Sequence, residues 1–203
     1  MAAPQLVTIT GGPPAISGGS FTNDVNKFWF AGTSGGTTSL YAATPTGAAS
    51  FSVDMTHQPV AANCPFSDPV FMQTNSTYQL YVAFPLAGCS GPSYVARGAL
   101  DRNIGAFYSA LPDTGWAAPS MTPSGFLLLF TSTGSDRHLY GTTRSDYTYQ
   151  FSSPSRIYMS SIGEAIEDRH AVVNADCTAI YFSSVRSGGA GGADLYAADI
   201  AAE

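Results

Sequence analysis

The densest group of ionisable side chains in this chain is the octapeptide Gly163–His170, GEAIEDRH. Two carboxylates, a guanidinium and an imidazole follow one another at Glu167, Asp168, Arg169 and His170. Such groups bind a polar ligand or exchange protons with it. An enzyme built here would use Glu167, Asp168 and His170 as its acid and base. The structural alternative is an ion pair between Glu167 or Asp168 and Arg169, with His170 closing a strand; such networks are common without chemistry. No Gly-x-Ser-x-Gly elbow occurs in the sequence. The GGAGG run at Gly188–Gly192 joins two strand-like segments and has no following Lys-Ser/Thr, so it is no phosphate-binding loop. The acidic residues lack calcium-loop spacing, and Cys and His lack zinc spacing. No metal and no cofactor is expected.

What must position these residues is a repeat. Ala171–Asp199 (AVVNADCTAIYFSSVRSGGAGGADLYAAD) can be laid over Pro119–Arg144 (PSMTPSGFLLLFTSTGSDRHLYGTTR). Each copy runs as an apolar strand, a turn, an aromatic strand ending in Phe, a Gly/Ser/Asp loop and a Leu-Tyr strand. Ser20–Pro45 and Pro69–Arg97 are two weaker copies. The third strands are anchored by Tyr41, Tyr94, Tyr140 and Tyr196, and a period near 50 residues is the length of one four-stranded propeller blade with its loops. Ala49–Met55, Ala106–Leu111 and Tyr149–Met159 supply outer strands. The fourth copy stops at its third strand, and the spare run Gln5–Thr10 (QLVTIT) is expected to close it as a fourth. The expected fold is therefore all-β: a small β-propeller, a single domain over 1–203, with four blades of four antiparallel strands. Five blades would need a further copy.

The strings AIYFSSVRSGGAGGADLYAAD and LLLFTSTGSDRHLYGTTR resemble the TolB-type, WD40-like β-propeller repeat. In that repeat an Asp-Gly turn leads to an aromatic strand, a Ser/Arg/Gly loop and an Asp-Leu/Ile-Tyr strand. Here Cys177 follows Asp176 in place of Gly, and Ser124 stands for Asp before Gly125. The resemblance covers the last 90 residues or so well. It implies a propeller and no single activity: the family includes periplasmic binding proteins, interaction modules and non-catalytic domains of peptidases.

In a propeller the inter-blade connections, and the loops between second and third strands, gather around one mouth of the axial channel. That places Phe66 and Asp68, Trp116, and Asp168, Arg169 and His170 near the axis, with His138 in a loop on the same face. The first copy offers only Ser17-Gly18-Gly19 there. Aromatic faces beside carboxylates and Arg suit a peptide or a sugar, although Phe66 and Trp116 also suit inter-blade packing. A non-catalytic module holding a protein, peptide or glycan at this mouth is the leading expectation. A hydrolase or lyase acting on a sugar or peptide, and a bare scaffold of a larger protein, are the alternatives.

Composition narrows the partners. The net charge is −6 and Lys27 is the sole lysine, so the basic footprint of a nucleic-acid binder is missing. No run of 18 apolar residues is present, and no membrane insertion is expected. Met1 leads directly into Ala2-Ala3-Pro4, without the basic and apolar regions of a signal peptide. Scarce lysine and abundant Ser, Thr and Gly resemble exported bacterial proteins, so a periplasmic or extracellular location is expected, with the cytoplasm as the alternative. In an oxidising compartment Cys64 and Cys89 can join in a disulfide worth roughly 3 kcal/mol in the chain-entropy model; otherwise they are two thiols. Cys177 fills a tight turn.

Overall fold

A computed structural model describes residues 6–21, 26–57, 66–73, 78–85, 93–99, 108–111, 114–135, 137–146, 150–158, 167–174, 176–186 and 192–200. All regular elements among them are strands, and they form four sheets in chain order. Blade 1 contains β1 (Thr8–Thr10), β2 (Ala15–Phe21), β3 (Phe28–Ser34), β4 (Thr37–Gly47) and β5 (Ser50–His57). Blade 2 contains β6 (Ser67–Gln73), β7 (Tyr78–Pro85), β8 (Ser93–Ala99) and β9 (Tyr108–Ser109). Blade 3 contains β10 (Trp116–Met121), β11 (Leu127–Ser132), β12 (Leu139–Thr143) and β13 (Ser155–Arg156). Blade 4 contains β14 (Asp168–Val173), β15 (Ala179–Ser184) and β16 (Asp194–Asp199). The expected outer strands thus appear as β5, β9 and β13.

The register shows why the copies agree where they do. Phe30 pairs with Tyr41, Phe84 with Tyr94, Phe130 with Tyr140, and Phe182 with Tyr196. One cross-strand Phe–Tyr pair is therefore repeated in every blade. Its rings stack with centroids 5.4 Å apart in blade 1, 6.2 Å in blade 3 and 6.0 Å in blade 4. Cross-strand aromatic pairs are the local unit of sheet stability.

Both faces of a middle blade are covered, so its strands read as unbroken apolar runs rather than alternating ones. On β11, Leu128 and Phe130 join Val95, Leu111 and Phe151 between blades 2 and 3. Leu129 points the other way and joins Leu139, Ala171, Ile180 and Phe182 between blades 3 and 4. This is the period of two expected of a strand, with apolar partners on either side. Trp29 of β3 stacks on Phe71 of β6, ring centroids 5.0 Å apart, and joins blade 1 to blade 2.

The N-terminal strand departs from expectation. Thr8, Ile9 and Thr10 pair in parallel with Ser50, Phe51 and Ser52 of blade 1, not with β16 of blade 4. The cause is local burial. Ile9 joins the cluster of Phe30, Ala43, Phe51, Phe28, Tyr41 and Val53 on the far face of blade 1. Among the described residues blade 1 has five strands and blade 4 three. The inner strands pack in the series β2–β6–β10–β14, without a comparable contact from β14 back to β2. On blade 4, Val172, Tyr181 and Leu195 are exposed, Leu195 by 78%. Cys64 and Cys89 lie outside the described residues, as do 159–166.

Candidate functional site

The inner strands carry a feature that builds the mouth. Each of β2, β6, β10 and β14 is bulged where it pairs with the next strand, the register slipping after Ser17, Ser67, Ala117 and Arg169. At each bulge one residue has positive φ: Gly18 at 68°, Asp68 at 52°, Ala118 at 49° and His170 at 52°. A bulge inserts an extra residue and bends the strand, and its left-handed residue costs nothing only for glycine. Three of the four positions hold other residues and store strain of order 1–3 kcal/mol each. Such strain is a mark of functional positions as well as of tight packing.

These four residues line one cavity of about 170 Å³, together with Pro69, Pro119 and Val172. Asp68 and His170 border this space together with Gly18 and Ala118. The Asp68 carboxylate accepts a 2.7 Å hydrogen bond from the Ser67 hydroxyl and lies directly over Gly18. His170 is exposed. Behind the bulges the space continues into a cavity of about 300 Å³ with an apolar lining that includes Val70, Phe71, Met72, Met121 and Val173. Both cavities have mainly apolar linings, and Asp68 and His170 are the ionisable residues at the bulged end.

Beside His170 the carboxylates of Glu167 and Asp168 have separate tasks. Asp168 is buried and accepts hydrogen bonds of 2.8 and 2.9 Å from the Arg186 guanidinium. That guanidinium also lies over the rings of Phe182 and Tyr196, at 5.0 and 5.4 Å from their centroids. Asp168 and Arg186 therefore anchor blade 4 as a buried pair. Glu167 instead reaches the β11–β12 loop of blade 3. Its Oε1 accepts from Arg137 Nη1 at 2.9 Å and pairs as well with Arg169 Nη2. The backbone amide of Asp168 donates to the Arg137 carbonyl at 2.7 Å, which fixes this loop against β14. Burial, and then the neighbouring Arg137 charge, lower the pKa of Arg169 below that of an ordinary arginine. His138 Nδ1 accepts from Arg156 at 3.2 Å.

Of the residues expected at the mouth, Asp68 and His170 line it, with Arg169 next to His170 in sequence. Phe66 and Trp116 do not present their rings to it. Phe66 is 2% exposed, and Trp116 packs against Phe130 and Tyr140 with centroids 4.8 Å away in both cases. Phe66 lies immediately before β6 and Trp116 opens β10, each ahead of its bulge. Asp168 is turned inward by Arg186, a partner the sequence reading missed. The bulges went unread too. Their signal is present in Asp68-Pro69 and Ala118-Pro119, two X-Pro steps fifty residues apart with Gly18-Gly19 and His170-Ala171 in the matching places. Among the described residues no group of three or more His, Cys, Asp or Glu is placed to hold a metal ion.

No protein-family profile matches the chain, and no curated protein sequence does. Solved structures do. TolB from Acinetobacter baumannii superposes with a TM-score of 0.59 at 16% identity over 91% of this chain. A putative TolB from Agrobacterium tumefaciens gives 0.61 at 13% identity, also over 91%. An endo-arabinase from Bacteroides thetaiotaomicron gives 0.60 at 13% identity over 97% of this chain and 78% of its own. At these identities the likeness establishes the fold, an all-β propeller-type array of blades. This chain spans 41% and 58% of the two TolB chains.

Proposed function

We propose that this chain is a non-catalytic binding module that holds a peptide segment of a partner protein over the bulged mouth of its axial channel. The observation that carries the reading is the ring of four bulges. The fold repeats them at a fixed place in every blade, yet their side chains differ, so that Asp68 and His170 stand alone among small neighbours at an open cavity. A peptide fits this mouth better than a sugar does, because Phe66 and Trp116, the rings expected there for a sugar to stack on, pack inward instead. We place the module in the periplasm or outside the cell, in line with its exported-type composition and its TolB-like fold.

The test uses the strain itself. His170→Gly and Asp68→Gly remove the side chains but suit the positive φ, so folding is retained. Random dodecapeptides are selected on the wild-type protein and their affinities measured by fluorescence anisotropy. The reading expects His170→Gly and Asp68→Gly each to weaken the selected peptides at least tenfold without lowering the melting temperature. Unchanged affinities would sink it.

One observation favours a catalytic reading: Asp68 and His170, a carboxylic acid and an imidazole, border the same cavity. Turnover of arabinan or peptide substrates that disappears in His170→Gly would support it over simple binding.

A further inference from the structure

In a chain of net charge −6 with eight lysines and arginines, four of the eight meet at the junction of blades 3 and 4. Arg186 is matched by Asp168. Arg137 and Arg169 both meet the carboxylate of Glu167, and Arg156 donates to the Nδ1 of His138. Arg137 and Arg169 are the accessible members, with side chains 41% and 37% exposed. Both guanidiniums converge on one oxygen of Glu167. Each carries five N–H donors in a planar fork, more than one carboxylate can engage. Glu167 thus shows what this pair of arginines is shaped to hold. The backbone bond from Asp168 to Arg137 holds the two donors' segments together before any ligand arrives, which lowers the ordering cost of binding.

We propose that Arg137 and Arg169, set around Glu167 beside His170, form a carboxylate site that takes an Asp or Glu side chain of an acidic peptide lying across the channel mouth. The proposal rests on the peptide-binding reading above and adds the chemistry of the ligand. Glu167 competes with the incoming carboxylate, so it sets how tightly the site binds. Coulombic attraction across this partly exposed pair adds a salt-dependent share.

The experiment measures anisotropy of fluorescein-labelled hexaglutamate and hexaglutamine at 50 and 300 mM NaCl. Unlabelled trigalacturonate and inorganic phosphate serve as competitors. Hexaglutamate is expected to bind at least tenfold more tightly than hexaglutamine and to lose that advantage in Arg137→Gln/Arg169→Gln. In Glu167→Gln, where the internal competitor is gone, it should tighten about threefold or more. Melting curves accompany every variant. If the double variant fails to fold, the single Arg137→Gln in the exposed loop and the gain in Glu167→Gln decide the matter. Equal binding of the two peptides, a loss rather than a gain in Glu167→Gln, or displacement by trigalacturonate or phosphate at lower concentration than by unlabelled hexaglutamate would overturn the proposal. Its failure is distinct from failure of the parent reading. Selected peptides that need His170 but ignore Arg137 and Arg169 overturn the carboxylate site and leave the module standing.

Discussion

Asp168 sits one residue from Arg169 and two from His170, yet its environment assigns it a different task. Its carboxylate is almost enclosed and is held on both oxygens by Arg186. Removing one member of a buried pair strands the other charge, at a cost of about 3 kcal/mol or more. Asp168→Ala should therefore lower the unfolding free energy measured by urea denaturation by that amount, whereas His170→Gly leaves it unmoved. A loss of binding in Asp168→Ala with unchanged stability would return that residue to the mouth. Cys177 is the second informative residue. It takes the place of glycine in the repeated turn and holds φ at 59°, as Gly125 holds 73° in blade 3. Cys177→Gly should stabilise the protein by about 0.5–1 kcal/mol, because relief of left-handed strain exceeds the added entropy of the unfolded chain; thermal melting checks it. The grouping of Glu167, Asp168, Arg169 and His170 was legible in the sequence. The partition of its members was not, since Arg186 comes from beyond a whole strand and nothing local links it to Asp168.

At the level of elements, the strands and their order could be read from the chain because each blade repeats a Phe–Tyr pair and the middle blades carry apolar runs with neighbours on both faces. Two things could not. The bulges leave no periodic hydrophobic mark, and a single inserted residue is hidden among Gly, Ser, Ala and Pro. The partner of Thr8–Thr10 was decided by Ile9 dropping into the cluster around Phe51 and Val53, a tertiary contact that no alternation pattern encodes. The bulges also differ in tolerance. A Cβ on Gly18 would overlap the Asp68 carboxylate and lie 2.8 Å from the Asp68 Cα. Gly18→Ala should cost about 2–3 kcal/mol through strain and overlap. Ala118→Gly should cost nothing or stabilise slightly. Chemical denaturation of the pair reads the difference, and equal effects would show that Gly18 is not pressed against Asp68.

Over the whole molecule, four sheets pack in series, and their inner strands come together at the bulged mouth, where Gly18, Asp68, Ala118 and His170 differ from one another. Blade 4 keeps an open far face and a free β16 edge among the described residues, while the far face of blade 1 is covered by Ile9 and by Pro13, which lies against Gly32. The repeats agree in the register that holds the sheets and diverge at Gly18, Asp68, Ala118 and His170, so specificity belongs to the mouth. The measurement that tests this most directly is an amide NMR titration of the isotopically labelled protein with a selected peptide. The account predicts shift changes confined to the bulges at 17–19, 67–70, 117–120 and 169–172 and to Arg137, His138 and Glu167. Changes centred instead on Tyr181 and Leu195 of the open blade face, with the bulges and Arg137 silent, would contradict it.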